Sequence, residues 1–229
     1  MHNIYVVGTD TGVGKTVLSL LLMQLFLERG LRPFYLKPLQ TGCITPHDKD
    51  SDAVFVYEHV EFLLDKDPAE SIIYCFKNPK APYFAARNEG RKIDLKLVDS
   101  IIKEKSRLYS PLILEAAGGL LAPVAEGVLM ADTIGPGVKV LIAARAALGT
   151  INHTLLSIEA LEGRGIRPAG VVFLDATGTA PDMITENMEA VEKYSGIKVA
   201  GVIEKIDDFS RPPRDCYRLL EFLFPAGAL

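Results

Sequence analysis

The run Gly8-Thr9-Asp10-Thr11-Gly12-Val13-Gly14-Lys15-Thr16 constrains this chain more than any other stretch. It follows the apolar segment Ile4-Tyr5-Val6-Val7 and opens a leucine-rich segment, residues 15–28, that Gly30 closes. A short apolar run, a glycine turn and an apolar helix begin a βαβ unit, and a strand without polar alternation must be covered on both faces. Small residues in the turn let successive backbone N–H groups converge on one anion, with the positive end of the helix behind them. Such a turn cradles phosphate. Lys15 is placed to pair with the β- and γ-phosphates of a nucleotide, and the Thr16 hydroxyl to hold Mg2+. The full pattern would put a glycine where Thr9 stands, so the match is Gly-Lys-Thr in its strand–turn–helix context.

The remaining chain repeats the alternation. Strands are expected at 33–36, 112–115, 138–143, 170–174 and 199–203, and helices at 51–64, 95–105, 151–162, 181–194 and 214–223. This order predicts a three-layer α/β fold of the P-loop NTPase type, a mostly parallel sheet with helices on both faces. No Ser/Gly-rich linker interrupts it, so residues 1–229 read as one domain. Residues 40–50, 76–83 and 120–128 read as irregular, and in an open α/β sheet such loops at strand ends surround the ligand.

Composition narrows the class of partner. A net charge of −4 argues against a protein that coats nucleic acid or an anionic membrane. No segment approaches the ~18 apolar residues of a membrane span, and the first residues carry no basic leader. Cys43, Cys75 and Cys216 are too few and too scattered for a disulfide framework or a zinc site. The expectation is a cytoplasmic protein with reduced thiols.

Three further groups carry chemistry. Lys37-Pro38-Leu39-Gln40-Thr41-Gly42 is expected just past the second strand, with the proline ending it and the lysine aimed into the ligand crevice. Ser51-Asp52 opens a helix. Leu114-Glu115-Ala116-Ala117-Gly118-Gly119 puts a carboxylate after a buried apolar run, where it wants a cation, and the Mg2+ on Thr16 supplies one.

These groups, together with Leu148-Gly149-Thr150-Ile151-Asn152-His153, resemble dethiobiotin synthetase in their order and spacing across about the first three quarters of the chain. The resemblance implies a ligase that uses ATP, Mg2+ and CO2 to close a ureido ring on 7,8-diaminopelargonic acid. The steps implied are a carbamate, a carbamic–phosphoric anhydride and attack by the second amine. It implies nucleotide contacts at Gly12, Val13, Gly14, Lys15, Thr16, Val17, Asp52, Glu115, Ala116, Ala117, Gly118, Asp175 and Glu204. Mg2+ positions are Thr16, Asp52 and Glu115; Lys15, Lys37 and Thr11 take catalytic positions. Substrate positions are Thr11, Lys37, Thr41 and the stretch Gly149, Thr150, Ile151 and Asn152, whose amides would hold the substrate's distant carboxylate, bound in part by the partner subunit of the family's homodimer. Leu174 and Glu204 replace an asparagine and a proline of the family's adenine pocket, which predicts loose nucleotide choice. The competing reading is a partition or division-site ATPase switch. Those proteins carry a signature lysine where this chain has Asp10.

Overall fold

The computed structural model describes residues 3–224. The strands are β1 (Ile4–Gly8), β2 (Phe34–Thr41), β3 (Ile72–Phe76), β4 (Leu112–Glu115), β5 (Pro123–Ala125), β6 (Val128–Leu129), β7 (Lys139–Arg145), β8 (Gly170–Asp175) and β9 (Val199–Glu204). The helices are α1 (Lys15–Glu28), α2 (Asp52–His59), α3 (Pro82–Asn88), α4 (Leu95–Leu108), α5 (Thr150–Glu162), α6 (Pro181–Ser195) and α7 (Arg214–Leu223). Seven strands form one sheet in the order β3-β2-β4-β1-β7-β8-β9, with every neighbouring pair parallel. β5 and β6 make a small antiparallel hairpin.

The three layers follow from the alternation along the strands. Ile4 and Val6 face a core shared with α1, α2 and α7. Tyr5 and Val7 face the opposite core, which takes Ile158 and Leu161 of α5 and Ile184 and Val191 of α6. α1 has no solvent stripe over most of its length: Leu18, Leu20, Leu21, Leu22, Met23, Leu25 and Phe26 are all at most 1% exposed. A side chain buried this completely contributes about 1.5–3 kcal/mol, so the helix behind the glycine turn is a fixed anchor.

The chain first lays strands on one side of β1 and then, from β7 onward, on the other. In open α/β sheets the ligand crevice lies at the carboxyl ends of the strands beside such a reversal. β4 sits between β1 and β2, in register Val6↔Glu115 and Leu36↔Leu114.

Several expectations need correction. β2 does not stop before Lys37; it runs on through Pro38 to Thr41. Pro38 is tolerated because β2 pairs with β4 only as far as Leu36, so beyond it no ladder bond to β4 is lost. β3 and most of α3 fall where no element is expected, and the hairpin of β5 and β6 lies almost wholly inside the stretch 120–128 read as irregular. α2 ends at His59, where Val60 turns to extended geometry (φ −117°, ψ 106°), and only a 3-10 turn at Glu61–Leu63 follows.

Candidate active site

Three adjacent strands deliver the chemistry. β1 ends in Gly8, and an added Cβ there would meet the Asp10 carbonyl and Val13 at 2.9 Å. Gly12 (φ 68°) and Gly14 (φ 93°) take the left-handed backbone that turns the loop into α1. Gly14 is doubly fixed, since a Cβ would stand 2.5 Å from Leu174 Cδ2. The Lys15 ammonium folds back to donate to the Asp10 carbonyl at 2.9 Å.

Thr16, at the second position of α1, meets α2 and β4. Its Oγ1 is 2.7 Å from Asp52 Oδ1, on the first residue of α2, and 2.9 Å from Glu115 Oε1, on the last residue of β4. Lys37 Nζ donates to Glu115 Oε1 at 2.8 Å and contacts Asp52 Oδ2. Tyr35, two residues earlier on the same face of β2, donates its hydroxyl to Glu115 Oε2 at 2.9 Å. The Gln40 side-chain oxygen accepts from the Asp52 backbone N–H at 3.3 Å, helping to seat the start of α2. The Glu115 and Lys37 side chains are 0% and 8% exposed, and Asp52 is 28% exposed.

Burial sets the protonation of this cluster against its charges. It drags the Lys37 ammonium toward neutrality, but the Glu115 and Asp52 carboxylates outweigh it and hold the pKa above the ordinary lysine value. Lys15 is also buried and falls below that value, because Glu115, Asp52 and Asp10 offset only part of the loss and Lys37 adds to it. Burial alone would raise Asp52; Lys37 and the Thr16 hydroxyl reverse that and keep it below the usual carboxylate range. Burial and then the charge of Glu115 push the Tyr35 phenol well up, so it stays a donor.

The donor set suits Mg2+. Thr16 has one proton for two carboxylate oxygens, so it donates to one of them at a time, and Lys37 supplies the second donor to Glu115 Oε1. Thr16, Asp52 and Glu115 all offer hard oxygen donors. Among the described residues no group of three or more His, Cys, Asp or Glu could hold a metal by itself. Mg2+ is commonly held by one or two carboxylates together with substrate phosphates, and the glycine turn beside this cluster is built for phosphate.

The expected residues divide into three places. A pocket of about 160 Å3 gathers Thr11, Gly12, Gly14, Lys15, Thr16, Lys37, Thr41, Asp52, Glu115, Ala117 and Gly118, with Gln40. Val13 and Ala116 are buried behind it and Val17 is half-buried, so their contribution is backbone and packing. Asp175 and Glu204, in register at the ends of β8 and β9, line a separate cavity of about 520 Å3. Asp175 is occupied within its own turn: its carboxylate accepts from the backbone N–H groups of Thr177, Gly178 and Thr179 and from both threonine hydroxyls. Gly149 (φ 91°) caps α5, which begins at Thr150 and continues through Ile151 and Asn152, and none of these lines the phosphate pocket. Leu148, just before that cap, is 92% exposed.

Sequence reasoning missed Tyr35 and Gln40. The signal for Tyr35 was the two-residue period of a strand, which puts it on the same face as Lys37.

Residues 2–213 match a family model described as an AAA domain. An ATP-dependent dethiobiotin synthetase BioD from Anaeromyxobacter sp. (strain K) is 40% identical over 184 residues, 80% of each chain. One from Lysinibacillus sphaericus (strain C3-41) is 36% identical over 215 residues, 92% of this chain and 90% of the relative. Among solved structures, the cell division ATPase MinD of Pyrococcus furiosus superposes with a TM-score of 0.57 at 14% identity, over 100% of this chain and 94% of that one. A plasmid partition protein from Borrelia burgdorferi B31 superposes with a TM-score of 0.60 at 12% identity, over 97% of each chain. At such identities the superpositions speak for the fold alone.

Proposed function

Because this chain belongs to the dethiobiotin synthetase family, we propose that it carries out ATP- and Mg2+-dependent ring closure of 7,8-diaminopelargonic acid with CO2, giving dethiobiotin, ADP and phosphate in biotin synthesis. The observation that carries the reading is the convergence of Lys15, Thr16, Lys37, Asp52 and Glu115 on one pocket.

One amine of the substrate adds to CO2 and loses a proton, giving a carbamate. A carbamate oxygen attacks the γ-phosphorus as the bond to ADP breaks, which yields the mixed anhydride. The second amine attacks the carbonyl carbon, loses a proton and expels phosphate. None of these steps needs a protein nucleophile, so the chain's task is positioning and charge neutralisation. The loop amides and Lys15 hold the phosphates. Lys37, kept charged by its two carboxylates, faces the carbamate and the transferring phosphoryl group. The Thr11 and Thr41 hydroxyls offer hydrogen bonds to the amine and the carbamate. Thr16, Asp52 and Glu115 would hold Mg2+, which when bound neutralises charge on the phosphates.

The N-terminus of α5 holds the distant carboxylate of the substrate for a second copy of the chain. Exposed Leu121, Leu148 and Leu156 around that terminus support a homodimer, because such side chains gain most when another copy covers them. No helix among the described residues is long and apolar enough to cross a membrane, in keeping with a cytoplasmic enzyme. Phosphate release from ATP, measured with and without the diamine and bicarbonate, tests the reading. Release should require both; release that ignores them would favour a nucleotide switch.

A further inference from the structure

Glu115 has two oxygens with different duties. Oε1 faces Thr16 and Lys37, while Oε2 accepts the Tyr35 hydroxyl. Tyr35 is 1% exposed and Glu115 1%, so no bulk water competes for that bond. The backbone that carries the phenol is itself held. Ser71 Oγ donates to the Tyr35 carbonyl at 2.7 Å, and Tyr57 OH is 2.9 Å from Ser71 Oγ. Tyr57 lies on α2, the helix whose first residue is Asp52. The two carboxylates of the cluster are thus tied together at a second level, through α2, Ser71 and Tyr35.

We propose that Tyr35 is a positioning residue for the metal site: by holding Glu115 Oε2 it turns Oε1 toward Thr16 and fixes Glu115 as a one-oxygen ligand. The alternative state, with Glu115 free to rotate and present both oxygens or neither, is one that the buried phenol forbids. The inference rests on the proposed metal role of Thr16, Asp52 and Glu115. Groups that orient metal ligands in this way typically change metal affinity by about 10–100-fold when removed.

The test is Mn2+ binding to the full-length protein with ADP, read from the free-Mn2+ signal in electron paramagnetic resonance, beside the melting temperature of each variant. Y35F keeps the ring and loses only the hydroxyl. It should weaken Mn2+ by about tenfold while the KM for the diamine at saturating Mg2+ moves less than about twofold. A merely structural tyrosine would lower the melting temperature and leave Mn2+ affinity within about twofold of wild type, and that result overturns the proposal. In an E115Q background, Y35F should add almost nothing to the loss of Mn2+ affinity; full additivity would mean that Tyr35 acts elsewhere. S71A, which frees the Tyr35 backbone without touching Glu115, gives a second measure should Y35F fold poorly. It should weaken Mn2+ in the same direction, and an unchanged affinity counts against the proposal. If the wild-type protein with ADP takes up no Mn2+, the metal reading itself fails and Tyr35 loses its role with it.

Discussion

Replacing Lys37 by methionine removes one charge and little volume from a site where both consequences can be worked out. In the folded protein the Lys37 ammonium is the cation that Glu115 Oε1 and Asp52 Oδ2 share. Breaking a buried pair from one side costs about 3–5 kcal/mol, because the partner's charge is left uncompensated. Glu115 keeps the Tyr35 and Thr16 hydroxyls and Asp52 is partly open to solvent, so the lower end applies, about 3 kcal/mol. For a domain of this size, each kcal/mol moves the melting temperature by about 2–4 °C, which gives a fall of roughly 6–12 °C. A divalent cation can fill the vacated role. If Mg2+ reaches a hundred times its dissociation constant, it returns about 2.7 kcal/mol. The assay is thermal unfolding followed by circular dichroism, without nucleotide, in MgCl2 or in NaCl of equal ionic strength. K37M should melt well below wild type in NaCl and recover most of the difference in MgCl2, while wild type gains little. Turnover measured in MgCl2 should stay lower by about 10²–10³, since Mg2+ bound there does not face the carbamate as the ammonium does. A variant that melts within about 2 °C of wild type, or that MgCl2 treats no differently from NaCl, refutes the argument.

Other consequences can be measured independently. Asp175 is saturated by its own turn and Leu174 packs on Gly14, so neither side chain offers adenine an unpaired buried polar group. ATP, GTP and CTP should lie within about tenfold of one another in kcat/KM, and a preference beyond about a hundredfold would contradict this. Gly14→Ala should cost about 2–4 kcal/mol from left-handed backbone plus overpacking, and L174A should show favourable coupling to it in a double-mutant cycle; additive losses would deny the contact. With the Lys15 pKa lowered and that of Lys37 raised, Lys15 loses its proton first as pH climbs. ADP binding should therefore weaken below pH 10.5, the ordinary lysine value, and take up a proton there. Calorimetry in buffers of different ionisation enthalpy reads that proton, and an affinity flat to that pH would exclude the effect.

The alternation of apolar runs and helical stretches made the α/β fold legible, and residue type picked out part of the candidate cluster. Lys15, Thr16, Lys37, Asp52 and Glu115 announce themselves because charged or hydroxyl residues abut glycine turns or apolar runs, and the structure gathers them in one pocket. Tyr35 did not, since an aromatic residue inside a strand reads as packing until its hydroxyl is seen against a carboxylate. Pro38 misled because a proline normally closes a strand, a rule that lapses where the neighbouring strand has already ended. β3 is an edge strand, mostly half-buried although its run Ile72-Ile73-Tyr74-Cys75-Phe76 is apolar throughout. α3 hides in a proline-rich stretch because Pro82 occupies its first turn, where the missing N–H costs nothing.

The place of β4 in the sheet has a consequence for how the chain acquires its function. Thr16 and Lys37 lie 99 and 78 residues before Glu115, yet β4 must enter between β1 and β2. During synthesis those two earlier strands emerge as neighbours with a vacancy between them, and they cannot close it by pairing with each other without excluding the rightful occupant. Parallel pairing over such separations is intrinsically slow and leaves strand edges open meanwhile. A nascent chain that stops short of Glu115 therefore carries the whole phosphate loop and lacks the carboxylate that completes its cation site. Competence arrives late and at once, when a four-residue strand slots home.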